Sequence, residues 1–321
     1  MIVTLQNVYY CSTQQNGRFT NINGFNNTKL RIEVGNNMRY RFLRFPKGRA
    51  KAVTLSYDDG CPEDIRFSDT ITKYGLKCTF NLNCDAMRKE NLSAIEIKEH
   101  FLSKGHEIAV HGANHRAEGT LRPVDGIQEV LECRLELERK FGIIVRGMAY
   151  PDSGITKLSN GASYEKIKQY LTDLDIVYSR SLGGDNDEFV LPNDWHAWMP
   201  TAHHINPKIM EYIDKFLNID LSQNAYGTRR EPRLFYLWGH SYEFERNNNW
   251  KLLEDICINL SGKSDIWYAT NMEIYEYVNA YNSLIYSANG KIVYNPTLLD
   301  IWFDVDGKEY KISSGETLNI E

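Results

Sequence analysis

From residue 51 onward the chain repeats one pattern: a short apolar run, a turn, then a segment of helical length. The runs fall at 52–57, 77–82, 107–110, 143–150, 176–178, 234–238 and 266–269. Pro62 opens the first helical segment and Gly75 stops it, Ser93-x-x-Glu96 forms a capping box, and Gly142 ends a helix over 126–141. Further helices are predicted over 163–174, 207–217, 250–260 and 272–284, with a long aromatic loop over 183–206. Strands alternating with helices pair in parallel through crossover helices. Such a chain closes as a barrel or stays open as a doubly wound sheet. No glycine-rich phosphate loop follows any run, which argues against a nucleotide-binding sheet. In barrels of this kind the chemistry gathers at the carboxyl ends of the strands.

The flanks read differently. Residues 1–46 carry short alternating apolar segments around a polar stretch, and 286–321 reads as a strand and a hairpin turning at Asp306-Gly307. We expect the tail to pair with the N-terminal segment as a small accessory β element beside a barrel spanning 47–285. At 42% hydrophobic and 25% charged, the 321 residues suit an ordinary globular protein, and a net charge of −5 argues against a nucleic-acid partner. The 12% aromatic content fits either a large aromatic core or sugar-stacking surfaces. None of the six cysteines forms a C-x-x-C pair, so they are expected as reduced, buried thiols. With no signal-like start and no run of about 18 apolar residues, the expected setting is cytoplasmic, without a membrane span. Oligomeric state is not legible.

Three clusters carry chemistry. The first run ends in Asp58-Asp59-Gly60, two carboxylates suited to holding a metal and taking a proton. The third ends in His111-Gly112-Ala113-Asn114-His115. Histidines four apart share a face if the segment is helical, and both can then reach one ion, with Asp59 as a third ligand. Three protein ligands with open positions describe a catalytic metal site. The sixth run leads through Trp238-Gly239 into His240, whose titration near neutrality suits a general acid.

Together these resemble the polysaccharide deacetylases of the NodB-homology type, carbohydrate esterase family four. Thr54-Leu55-Ser56-Tyr57-Asp58-Asp59-Gly60 is similar to the family's T-F-D-D-G motif, His111 to His115 to its H-[S/T]-x-x-H, and Leu237 to His240 to its L-x-H with one residue more. The R-x-P-Y motif is altered: Ala149 stands where arginine is usual and Asp152 where tyrosine is, around Tyr150-Pro151. Arg146 is out of register, and Arg180, at the end of the fifth run, is the candidate replacement. Asn193-Asp194-Trp195 is the place of the fourth motif.

The resemblance implies a distorted (β/α)7 barrel over about 51–285. It also implies a divalent metal, zinc before cobalt, nickel or manganese, on Asp59, His111 and His115. Asp58 would be the base and His240 the acid, and an acetylated glycan or amino sugar the substrate. A backbone N–H near Tyr150 to Asp152 is the expected second donor to the oxyanion. Tyr150, Pro151, Arg180 and Trp238 are the substrate-facing candidates, with Trp195 and Trp198 as further walls. Two alternatives stay open: a cyclic amide or imide hydrolase on the same barrel, and a sugar-binding protein with a degraded site.

Overall fold

The computed structural model describes residues 40–84, 88–89, 91–221 and 230–321. Its strands are β1 (Arg41–Arg44), β2 (Lys51–Asp59), β3 (Cys78–Leu82), β4 (Glu107–Val110), β5 (Gly147–Ala149), β6 (Tyr178–Arg180), β7 (Ala202–His203), β8 (Arg233–Gly239), β9 (Ile266–Tyr268), β10 (Ile285–Tyr286), β11 (Ile292–Tyr294), β12 (Ile301–Val305), β13 (Lys308–Ile312) and β14 (Thr317–Asn319). The central sheet runs β6-β5-β4-β3-β2-β8-β7, all pairs parallel. Beyond its two outer strands, Trp198 bridges to Arg180 in parallel, with Trp198 N donating to Ser179 O and Ser181 N to Trp198 O. The path from β6 through Trp198 into β7 and β8 therefore comes full circle. The result is a distorted (β/α)7 barrel.

Membership of the ring differs from the sequence expectation in one place. The run at 266–269 does form a strand, β9, but it is not a stave of its own. It lies along the first half of β2, at Lys51 to Val53, while β3 takes the same edge from Leu55 to Asp59. The seventh stave is instead the 198–203 stretch, which was expected as loop. It contributes only two residues of regular strand and contains Pro200, which removes a ladder donor, so no alternating pattern announces it.

β2 is the axis of the design. Eight of its nine residues are buried, as a strand covered on both faces must be, which is why it reads as one apolar run. The crossover helices cap as their sequences suggest. Ser93 accepts from Glu96 N while the Glu96 carboxylate accepts from Ser93 N, and Thr270 and Glu273 repeat the arrangement at the helix Asn271–Asn282. One apolar cluster fills the space between barrel and helices around Tyr57, Phe67, Phe80 and Phe101. A second lies under β8 and the last helix, around Phe45, Trp198, Tyr236, Tyr277 and Phe303. No helix among the described residues is long and apolar enough to cross a membrane.

The tail builds two small antiparallel sheets, β1-β12-β13 and β10-β11-β14. Asp306 (φ 50°) and Gly307 (φ 93°) make the two-residue turn between β12 and β13, the geometry that Asp-Gly favours. β1 pairs with β12 from Arg41 to Arg44. The other N-terminal runs, at 2–5 and 30–34, lie outside the described residues. So does Cys11, while the five described cysteines are free and buried.

Candidate active site

Consecutive strand residues point to opposite faces, yet Asp58 and Asp59 serve one cleft. The backbone explains it. Asp59 adopts φ 81° and Gly60 φ 73°, so the chain leaves β2 in the left-handed region, which Asp tolerates and Gly prefers. Both carboxylates then lie 3.9 Å from His240 Nε2.

Asp58 is buried. Its Oδ1 accepts from Asn81 Nδ2 of β3 at 2.8 Å and its Oδ2 from Arg180 Nη2. Burial pushes the carboxyl up, but Arg180, with His111, His240 and Asn81, more than offsets it and keeps Asp58 below the ordinary carboxylate value. Arg180 thus contacts the carboxylate that the altered R-x-P-Y motif leaves without its usual arginine. The guanidinium stacks 4.4 Å over Trp238, which holds it flat. Arg146 is elsewhere, pairing with Asp175 at the surface.

His111 and His115 converge, although the segment that carries them is not helical. The segment is a loop, with Gly112 at φ 77° and His115 at φ 56°. Gly112 suits the place where Ser or Thr is usual, because φ is positive and a Cβ there would come 3.0 Å from Glu129 Oε1. Glu129, from the helix Pro123–Phe141, accepts from Asn114 N, Asn114 Nδ2 and Arg116 N and so fixes the loop. His111 Nδ1 donates to the carbonyl of Ala149 at 2.9 Å, which leaves Nε2 free as an acceptor toward the cleft. Asp59 Oδ1 lies 3.7 Å from His111 Nε2 and 3.3 Å from His115 Nε2. The three donor atoms sit within 4.8 Å of one another. A tetrahedral ion with bonds near 2.0–2.1 Å wants donors roughly 3.3 Å apart, so two imidazoles and a carboxylate fit a divalent metal here.

His240 faces the pair from β8. Its Nδ1 lies 3.7 Å from Glu243 Oε1. Burial lowers its pKa, and Glu243, Asp58 and Asp59 raise it by more, so the imidazole holds its proton above the usual value. The cleft between these groups measures about 170 Å³ and is completed by Tyr150, Asp152, Leu182, Trp238 and Tyr242.

Other expectations are resolved by packing. Tyr150 borders the cleft, but its side chain is buried in the apolar cluster between barrel and helices, where its hydroxyl donates to His196 O at 2.9 Å. Pro151 is buried but does not line the cleft; its Cγ would lie 3.3 Å from a Cβ on Gly112. Trp198 is fully buried, edge-on to Tyr178 and Tyr236, and Trp195 packs on Trp198 and Tyr275, so neither is a wall of the cleft. Asp194 caps His196 N and pairs with Lys168. Tyr150 N donates to Arg180 O and proline has no N–H, which leaves Asp152 as the backbone donor of that stretch. Asn81, Glu129, Tyr242 and Glu243 went unread in the sequence. Only Glu243 carries a signal, three residues after His240 at the start of a helix.

Residues 32–169 match the family model described as polysaccharide deacetylase. That span includes the Asp58-Asp59 pair and both loop histidines, while Arg180 and His240 lie beyond it. No curated protein matches the chain. Among solved structures, one described as a "putative polysaccharide deacetylase" from Mycobacterium smegmatis is 15% identical, with a TM-score of 0.52 over 75% of this chain and 94% of its own. A family 4 carbohydrate esterase from Streptomyces lividans, in complex with acetate, is 12% identical with a TM-score of 0.43, over 68% and 92%. A family 4 pseudoenzyme from Bacillus anthracis is 14% identical with a TM-score of 0.45, over 73% and 70%. With the motif residues at the strand ends of a curled seven-stave barrel, the chain is similar over residues 32–169 to the polysaccharide deacetylases, and its fold is like that of the Mycobacterium smegmatis structure.

Proposed function

We propose that the protein hydrolyses an acetyl group from an acetylated sugar, using a divalent metal held by Asp59, His111 and His115. The observation that supports it best is a single one. A buried carboxylate kept ionised by arginine and a carboxylate-flanked histidine face each other across a three-donor metal group, all in one 170 Å³ cleft.

The donor set of two imidazoles and one carboxylate suits zinc, with cobalt, nickel or manganese as substitutes. Such an ion supplies Lewis acidity to the acetyl carbonyl and makes a nearby water easier to deprotonate. The chain's own residues do the rest. Asp58 accepts the proton of the attacking water, and Arg180 holds the carboxylate in its ionised form and in place. The Asp152 N–H, with no acceptor among the described residues, is the backbone donor available to the developing oxyanion. His240, protonated through its acidic neighbours, gives its Nε2 proton to the departing amine or alcohol. Trp238 and Tyr242 bound the space a sugar would fill.

The test is acetate release from N-acetylated oligosaccharides and from a chromogenic acetyl ester. Chelator should abolish release and added zinc restore it. Asp59→Ala should lose both bound metal and turnover. Release that survives chelation and the Asp59→Ala change would sink the metal role.

A further inference from the structure

A second cluster of ligand atoms lies behind His240, on the side away from Asp58 and Asp59. Glu243 Oε2 is 3.2 Å from His203 Nε2 and 3.3 Å from His204 Nε2, and its Oε1 is 3.7 Å from His240 Nδ1. One donor atom each from His203, His240 and Glu243 lies within 4.8 Å of the others. These separations bracket the roughly 3.3 Å edge of a tetrahedral site with 2.0–2.1 Å bonds.

The cluster is unsatisfied as well as close. His204 Nδ1 and Nε2, His240 Nδ1 and Glu243 Oε2 are all buried, and none has a hydrogen-bond partner among the described residues. Buried polar atoms without partners are costly, and three of these, His204 Nε2, His240 Nδ1 and Glu243 Oε2, meet at the Glu243 carboxylate, which calls for something that binds them together. The exposed Arg246 lies 3.4 Å from Glu243 Oε1, the oxygen nearer His240, and leaves Oε2 to His203 and His204.

The surroundings hold these rings in place. His204 is sandwiched between Phe244 and Tyr57, with ring centroids 4.2 and 5.7 Å away. A Cβ at residue 239 would sit 1.9 Å from His204 Nδ1, so Gly239, the additional residue before His240, gives that ring its seat. His203 Nδ1 accepts from Ile205 N, which turns Nε2 toward Glu243. His203 also lines an open cleft of about 510 Å³ beyond Trp238, which gives an ion a way in.

We propose that His203, His240 and Glu243, with His204 beside them, form a second site for a divalent transition metal such as zinc. Its occupancy suppresses turnover, because an ion bound by Nδ1 engages His240 as a ligand and separates it from the Glu243 carboxylate 3.7 Å away. That consequence rests on His240 acting as the acid in the proposed deacetylation; the binding does not.

Cobalt(II) titration of the metal-free protein, followed by equilibrium dialysis and visible absorption, separates the two. The wild-type chain should bind two cobalt ions. His203→Ala and Glu243→Gln should each bind one tightly, with the second weakened by about 10–100-fold or more, as loss of a ligand or its support does. Asp59→Ala should also keep one, now in the second site. One ion in the wild-type chain, or two tight ions in both His203→Ala and Glu243→Gln, would overturn the proposal, and the wild-type stoichiometry decides even if a variant does not fold. Acetate release that falls as the second equivalent binds supports the regulatory role, and release that is indifferent to it rejects that role. If no acetate is released at all while two ions bind, the proposed function fails and the second site stands.

Discussion

Two carboxylates in this molecule are buried against arginine at opposite ends of the barrel. Asp304, on β12, is held by Arg230 and, at 3.9 Å, by Arg44, and it accepts from the Gly307 N–H of its own hairpin at 3.0 Å. Every neighbour serves to fix the tail sheet to the start of the barrel. Asp58 is likewise held by Arg180, with Asn81 donating to its other oxygen at 2.8 Å, but its remaining neighbours are two histidines 3.9 Å away and an open cleft. Burial and an arginine partner are common to both, so they do not mark a site. What distinguishes Asp58 is the company of groups that can exchange protons or bind a ligand, at strand ends where backbone geometry leaves room.

The comparison can be broken by removing matching parts. Of the two matching changes, the larger effect on turnover is expected from Arg180→Met. Without the guanidinium, burial draws Asp58 toward its protonated form, and turnover at neutral pH should fall by about 100-fold or more, the range a general base contributes. Steady-state kinetics on folded protein checks this, and a variant with turnover close to wild type would place the base elsewhere. Asp304→Asn should do the reverse. It strands Arg44 and Arg230 as buried charges, at a cost of about 3–5 kcal/mol of stability read by denaturant unfolding, with turnover of the folded protein unchanged. A drop in turnover there would mean that the two ends are coupled.

Much of this arrangement is legible in the sequence, for physical reasons. β2 is recognisable because a doubly covered strand has no polar face, and because Asp59 and Gly60 end it where the backbone must turn. The helices are legible through their caps. The seventh stave was not, since its pairing rests on Trp198, Ala202 and His203 around a proline, and periodicity needs longer stretches. For the same reason β9 was taken for a stave: a three-residue apolar strand reads alike whether it closes the ring or lies beside it.

The site divides in the same way. The carboxylate pair, both loop histidines and His240 stand at strand ends and can be found by position. The segment from His111 to His115 is not helical, given the positive φ of Gly112 and His115, yet as a loop it still brings both histidines to Asp59. Arg180 could be suspected from its place after β6, but its pairing with Asp58 spans 122 residues and needs the closed ring. Glu129, Asn81 and the His203-His204 pair act on residues distant in sequence, and no local spacing marks them.

The most direct test of the account is Asp58→Asn. Asparagine keeps the size and one acceptor of the side chain but cannot take a proton. The account predicts acetate release reduced by about 10²–10⁴-fold, with the metal of the Asp59, His111 and His115 group still bound at the wild-type stoichiometry. Turnover within a few-fold of wild type, in a variant that binds its metal normally, would contradict it.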